Sequence, residues 1–112
     1  MKARRGEVRL VDFAEPVGRE QAGVRPSVVV SADALNEGPS GMLMVVPVTS
    51  ARRDLPSHIE IDKPDSGLDQ VSCAKFKDLK SISEHRLVHR LGFIDPTATR
   101  AIERVLRYLL DL

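Results

Sequence analysis

Two short runs of mostly apolar residues constrain the fold of this chain most strongly. Pro26 opens the first run, which covers residues 27–30, and the second run covers residues 42–48. Runs of this length that are rich in β-branched residues and bounded by Gly and Pro favour buried strands over helices. Because the turn-rich segment 36–41 separates the two runs, the pattern predicts a hairpin of two buried strands.

Three further segments carry strand patterns, and the end of the chain carries a helix pattern. Alternation of polar and apolar residues predicts strands at residues 7–13, 58–61 and 70–79. Ser83 is placed to cap a short helix through Leu87, and Asp95 followed by Pro96 is a typical helix start. Behind that start, apolar residues recur every three or four positions, at Ala98, Ile102, Val105, Leu106, Leu109 and Leu110.

These elements predict a β-rich α+β fold. We expect a small SH3-like barrel of about five to seven strands, with a short helix and a C-terminal amphipathic helix. With 112 residues the chain has enough length for one compact core, so we expect one domain over residues 1–112.

Composition limits the kinds of partner and compartment. The chain has 17 Lys and Arg against 16 Asp and Glu, so any surface that binds nucleic acid must be a local patch. Cys73 is the only cysteine, which excludes an internal disulfide and fits a reducing compartment. No apolar stretch is long enough for a signal peptide or a membrane span. We therefore expect a cytoplasmic protein that does not contact a membrane.

Arg25 is a candidate phosphate ligand. It follows a segment of about ten residues without periodicity, and loops of that length are often functional. A guanidinium group presents a planar fork to phosphate oxygens and stays charged. The residues leave an alternative open, in which Arg25 is a surface arginine paired with Glu20. Thr49 and Ser50, at the end of the second run, are likewise either phosphate donors or turn hydroxyls that bond their own backbone.

The histidines and the cysteine carry weaker signals. His85 and His89 are four residues apart, but they lack the intervening glutamate of a metalloprotease helix and a third ligand nearby. His58 precedes a strand, and Cys73 has the pattern of a small apolar core residue. Glycine-rich phosphate loops and nucleophile elbows are absent from the sequence. We predict neither a metal ion nor a cofactor.

Three motifs, in order along the chain, carry a resemblance to a known family. They are Arg5-Gly6-Glu7-Val8, then Glu20-Gln21-Ala22-Gly23-Val24-Arg25-Pro26-Ser27, and then Val45-Val46-Pro47-Val48-Thr49-Ser50. The chain resembles the MazF/PemK (Kid) toxins, which are endoribonucleases of bacterial toxin–antitoxin systems. The resemblance extends from Arg5 to Leu112.

The resemblance implies a function and a set of site residues. It implies an SH3-like barrel that forms a homodimer, cuts single-stranded RNA at short sequence motifs without a metal, and is silenced by a cognate antitoxin that covers the RNA site. The ribose 2′-hydroxyl would attack the adjacent phosphate and leave a 2′,3′-cyclic phosphate and a 5′-hydroxyl. By match, Arg25 and Thr49 are catalytic, and Glu20 is a base or positions Arg25. The residues expected to bind RNA are Arg19, Gln21, Ser50, Arg52, Arg53, Lys75 and Lys77.

One segment departs from the family pattern. Many relatives carry Asp-Gln-Ile-Arg-Thr where this chain has Lys77-Asp78-Leu79-Lys80-Ser81. The PemK branch uses an arginine and an aspartate in catalysis where this chain has Lys75 and Lys77. Lysines supply charge to hold phosphates, but a protonated lysine cannot act as a base, so the family's acid–base assignment is not carried over here.

Two other functions remain open from the sequence. Gyrase-poisoning toxins on the same barrel have a tryptophan near the C-terminus, whereas this chain has no tryptophan. A non-enzymatic SH3-like binding module needs an aromatic-lined groove, and this chain has three Phe and one Tyr. The scarcity of aromatic residues therefore disfavours both alternatives.

Overall fold

The computed structural model describes residues 3–13, 23–50, 58–61 and 66–112. In these parts the chain forms β1 (Glu7–Asp12), β2 (Val24–Val29), α1 (Asp33–Glu37), β3 (Met42–Thr49), β4 (His58–Ile61), β5 (Ser72–Lys75), β6 (Lys80–Ser83), β7 (Leu87–Phe93) and α2 (Pro96–Leu110). Two 3₁₀ turns, Phe76–Asp78 and Glu84–Arg86, precede β6 and β7. No helix in the described ranges is long and apolar enough to cross a membrane.

The strands pair antiparallel in a sheet that curls on itself. Their order is β4-β5-β3-β2-β1-β7, and β6 also pairs with β3. One edge of β3 pairs with β2, while its other edge pairs with β6 near its start and with β5 near its end. Gly67, which precedes β5, lies against the backbone of Leu91 in β7. The two ends of the strand order therefore approach each other, as in a half-closed barrel.

Each face of this sheet carries a cluster of buried apolar residues. The helix face packs against α2, and its buried residues are Val8, Val28, Val30, Val46, Val48, Ile59, Ile61, Ala74 and Phe76, with Ile102 of the helix. The opposite face has a second cluster, formed by Ala3, Val11, Phe13, Val29, Leu43, Val45 and Ile82. Because alternate residues of one strand supply the two clusters, most of each apolar run has no side that faces water.

The C-terminal helix has the start that the sequence predicts. The Asp95 side chain accepts a hydrogen bond of 2.7 Å from the backbone N–H of Ala98, and Pro96 occupies the first helical turn. Asp111 ends the helix in the left-handed conformation, with φ of 56°. Ile102 is buried, whereas Tyr108, Leu110 and Leu112 stay exposed, so the far end of the apolar stripe lies beyond the sheet.

The structure differs from the sequence predictions in three places. The predicted hairpin pairs as β2 and β3, but α1 lies in its connection, where buried Asn36 donates a hydrogen bond of 3.1 Å to the Ser31 carbonyl. The predicted strand 70–79 is divided into β5 and the turn before β6. The predicted short helix after Ser83 is a 3₁₀ turn followed by β7, so His85 and His89 do not share a helix.

Gly67 offers a test of the contact that closes the sheet. A Cβ at Gly67 would lie 2.1 Å from the Leu91 carbonyl oxygen, and its φ is +75°. We expect Gly67→Ala to lower the free energy of unfolding by about 2–5 kcal/mol, because left-handed strain adds to displacement of β7. Gly41→Ala is the control, since its φ is +70° but only the Glu84 carboxylate lies 4.0 Å away. Its expected cost is about 1–2 kcal/mol. Equal losses in urea denaturation would show that the Gly67–Leu91 contact does not constrain the fold.

Candidate functional site

The strand register brings Arg25 and Thr49 to neighbouring positions on the opposite face. Ser27 of β2 pairs with Pro47 of β3. Continued by two residues, this register sets Arg25 opposite Thr49, and both point to the same face as Ser27 and Pro47 because residues two apart in a strand share a face. Neighbouring strands are about 4.8 Å apart, so one phosphate group can reach both side chains. Arg25 is exposed and Thr49 is half-buried.

The same row of residues continues across β5 and β4. Thr49 pairs with Cys73, and Cys73 pairs with Glu60. Cys73 is buried, as the sequence predicts for a small core residue. Glu60 is exposed and lies two strands, or about 10 Å, from Thr49. The sequence pattern does not single out Glu60, because alternation in β4 indicates a polar face but not the strand that pairs with it.

Lysines add positive charge to this part of the molecule. Lys75 lies two residues beyond Cys73 on the same face, and its Nζ is 3.0 Å from Oδ2 of Asp78. Lys77 is exposed in the Phe76–Asp78 turn. Lys80 pairs in register with Val45, and its Nζ lies 5.8 Å from the centre of the Phe13 ring, within cation–π range. The departure from the family pattern therefore places three lysines around β5 and β6.

A buried ion pair of β1 lies beside Ser27, which is two residues from Arg25 in β2. Arg9 pairs in register with Ser27, and its Nε donates to Oε1 of Glu7 at 3.3 Å. The same oxygen accepts the backbone N–H of Arg4 at 2.7 Å, and Oε2 lies 3.8 Å from Nη1 of Arg90. Nη2 of Arg9 and Oγ of Ser27 are buried without a hydrogen-bond partner among the described residues. The burial of this pair could not be predicted from the sequence, because a charged residue in a strand pattern normally indicates the side that faces solvent.

Several predicted site residues lie outside the described ranges. Of the catalytic candidates this concerns Glu20, and of the predicted RNA-binding residues it concerns Arg19, Gln21, Arg52 and Arg53. Ser50, which follows Thr49 at the end of β3, is described and exposed. The structure thus brings together Arg25, Thr49 and Ser50, with Lys75 on the same face.

Comparison with known proteins identifies the family. Residues 4–110 match the family model described as PemK-like, MazF-like toxin of type II toxin–antitoxin system. The chain belongs to this toxin family. A curated relative, Endoribonuclease EndoA of Bacillus subtilis strain 168, is 28% identical over 113 residues, covering 100% of this chain and 97% of the relative.

Solved structures support the fold. MazF from Deinococcus radiodurans superposes with a TM-score of 0.84 at 23% identity, covering 100% of this chain and 99% of that one. A mycobacterial endoribonuclease in complex with its cognate antitoxin gives a TM-score of 0.82 at 23% identity, covering 98% and 96%. The predicted family and the predicted fold class, a small β-rich barrel with a C-terminal helix, are therefore confirmed, and the barrel is a curled antiparallel sheet that closes only half-way.

The Glu7–Arg9 pair can be tested by a double-mutant cycle. Glu7→Ala leaves the Arg9 guanidinium buried without its anion, so we expect a loss of about 3–5 kcal/mol in the free energy of unfolding. Adding Arg9→Met to Glu7→Ala removes the buried charge at similar side-chain length, so the double variant should be more stable than Glu7→Ala alone. Urea denaturation of the wild type, Glu7→Ala, Arg9→Met and the double variant gives the four free energies of unfolding that the cycle compares. Additive losses would mean that the two residues do not stabilise each other.

Proposed function

We propose that this toxin is a sequence-specific endoribonuclease that cuts single-stranded RNA without a metal. The observation that carries the proposal is the register of β2 and β3, which pairs Ser27 with Pro47 and, continued by two residues, sets Arg25 opposite Thr49. An arginine and a threonine on neighbouring strands, whose backbones are about 5 Å apart, can hold one phosphate between their side chains. Family membership and the relative named an endoribonuclease support RNA as the substrate.

The chemistry needs only groups that bind phosphate and move protons. The ribose 2′-oxygen forms a bond to phosphorus, the bond from phosphorus to the 5′-oxygen breaks, and the products are a 2′,3′-cyclic phosphate and a 5′-hydroxyl. Arg25 stabilises the charge that develops on the phosphorane oxygens, and Thr49 donates a hydrogen bond to one of them. Glu20 takes the proton from the 2′-hydroxyl or orients Arg25.

The rest of the proposed site holds the RNA on either side of the cut. Phosphates and base edges contact a local basic surface, and its proposed members are Arg19, Gln21, Ser50, Arg52, Arg53, Lys75 and Lys77. Nζ of Lys75 lies 3.0 Å from Oδ2 of Asp78, and this ion pair orients the ammonium group. In this proposal the lysines bind phosphate and do not act as bases.

A cognate antitoxin is the proposed regulator. It covers the RNA site with a segment that is acidic and apolar, which complements Arg25 and the lysines. The support is family membership together with the structural neighbours that are complexes, a mycobacterial endoribonuclease with its cognate antitoxin and MazE–MazF from Deinococcus radiodurans.

The toxin is further proposed to act as a homodimer. Apolar side chains remain exposed on β7 and at the end of α2, at Val88, Phe93, Tyr108, Leu110 and Leu112. A second copy that covers such surface removes it from water. Sedimentation should therefore give twice the mass of the chain at micromolar concentration. A fully active monomer would overturn this part of the proposal.

Cleavage in EDTA tests the function and the roles together. Arg25→Ala should lower the rate on the order of 10²-fold to 10³-fold while the protein stays folded, as for loss of one hydrogen-bond donor to the transition state. Thr49→Ala should reduce the rate less, and Thr49→Ser, which keeps the hydroxyl, should restore it. Arg4→Ala removes an exposed arginine at the far end of β1 and is the control without effect.

The substrate provides the second half of that test. A single 2′-deoxyribose at the cut position removes the nucleophile but leaves the phosphates, so cleavage should stop while binding persists. Cutting of the substituted RNA, or inhibition by EDTA, would mean that an activated water attacks. Intact RNA together with arrested DNA supercoiling would favour a gyrase-poisoning toxin.

A further inference from the structure

The outward side of α2 carries a row of three arginines. Arg100, Arg104 and Arg107 are spaced four and three residues apart, so they share one side of the helix. That side is turned away from Ile102, the residue that α2 buries against the sheet. All three arginines are exposed, and together with Glu103 they line a shallow cleft between side chains of this one helix. At 1.5 Å per residue the row is about 10.5 Å long.

Helix stability accounts for only part of this row. Arg104 lies four and three residues from two like charges, which repel it, whereas Glu103 is spaced three residues from Arg100 and four from Arg107 and offsets part of that repulsion. The helix dipole favours a cation only in the last turn, which explains Arg107 but neither Arg100 nor Arg104. Within the described residues, no side chain forms an ion pair with any of the three.

We propose that the arginine row is a second RNA-binding surface, which holds the phosphate backbone of the substrate outside the cleavage site. The choice of RNA as the anion rests on the proposed function. A guanidinium binds phosphate oxygens through two parallel hydrogen bonds, and three in a row fit successive phosphates of one strand. The Glu103 carboxylate weakens the attraction of this surface for phosphate. The surface therefore adds to the RNA affinity of the cleavage site and does not bind RNA in its place.

The turn after β5 lies between the proposed cleavage site and α2. Phe76, in this turn, packs in the same cluster as Ile102 of α2. Lys75 precedes the turn on the face of Thr49, and exposed Lys77 lies within it. The turn therefore contacts the buried side of α2, and the arginine row lies on the outward side of the same helix. In this proposal an RNA strand that leaves the cleavage site passes Lys77 before it reaches the row.

Salt-dependent binding of oligouridylate tests the proposal. The short probe has about six nucleotides, within the site size of small single-strand-binding domains, and the long probe has about 30 nucleotides, well beyond it. Arg100→Gln with Arg104→Gln should lower the slope of log affinity against log salt by about 1.4 for the long probe, since each phosphate contact on a single strand contributes about 0.7. The short probe should bind unchanged. Glu103→Gln should tighten binding of the long probe.

The control removes the same charge elsewhere. Arg4→Gln with Arg5→Gln changes two exposed arginines before β1, and the slope for the long probe should stay as in the wild type. An unchanged slope in the α2 variant, an equal fall in the control, or an equal loss for the short probe would overturn the proposal. If the α2 variant loses affinity for polyglutamate alone, the surface binds an acidic protein instead.

Cleavage of the short RNA by the same variants separates this proposal from the proposed function. We expect the α2 variant to cut the short RNA at the wild-type rate and a long transcript with a raised KM. If neither the wild type nor any variant cuts either RNA, the proposed function is wrong. The slopes of log affinity against log salt would then still show whether α2 binds RNA.

Discussion

The register between β2 and β3 is the constraint on which the candidate site depends. Consecutive valines in both strands bury well on either face of the sheet, so the apolar runs alone allow a shift by one residue. The charged residue and the prolines near the ends of the strands exclude such a shift. A shift of β2 by one residue would turn Arg25 toward the helix face, where it would desolvate a charge among apolar side chains. Pro26 and Pro47, which cannot donate hydrogen bonds, further restrict the pairing.

The curl of the sheet follows from how β3 is shared. Its outer edge pairs with β6 near Met42 and with β5 near Thr49, so two short strands take the place of one long one. The Phe76–Asp78 turn between them sends Phe76 into the core beneath α2 and leaves the neighbouring lysines on the outside. One local interruption therefore closes the sheet and positions charge beside Thr49. The contact between Gly67 and Leu91 is possible only because the ends of the sheet have come together.

The sequence predicts the parts of this fold whose signals are local. The apolar runs predict β2 and β3, and Asp95 with Pro96 predicts the start of α2, because a run or a cap needs no distant partner. The strand β7 was not predicted, because it is an edge strand with mostly exposed residues and register shifts against β1. Arg9 and Glu60 were missed for another reason: burial and neighbours across the sheet depend on pairing between distant segments.

The near balance of charge in this chain does not oppose binding of a polyanion. At physiological ionic strength the Debye length is about 8 Å, which is small against a molecule of 35 × 29 × 29 Å. A phosphate at Thr49 therefore experiences Arg25 and the nearby lysines much more than the carboxylates on remote surfaces. Glu7 is buried against Arg9, and Asp78 is paired with Lys75, so two of the nearer carboxylates already face cations of the protein. The distribution of charge, rather than its sum of +1, decides which surface can hold RNA.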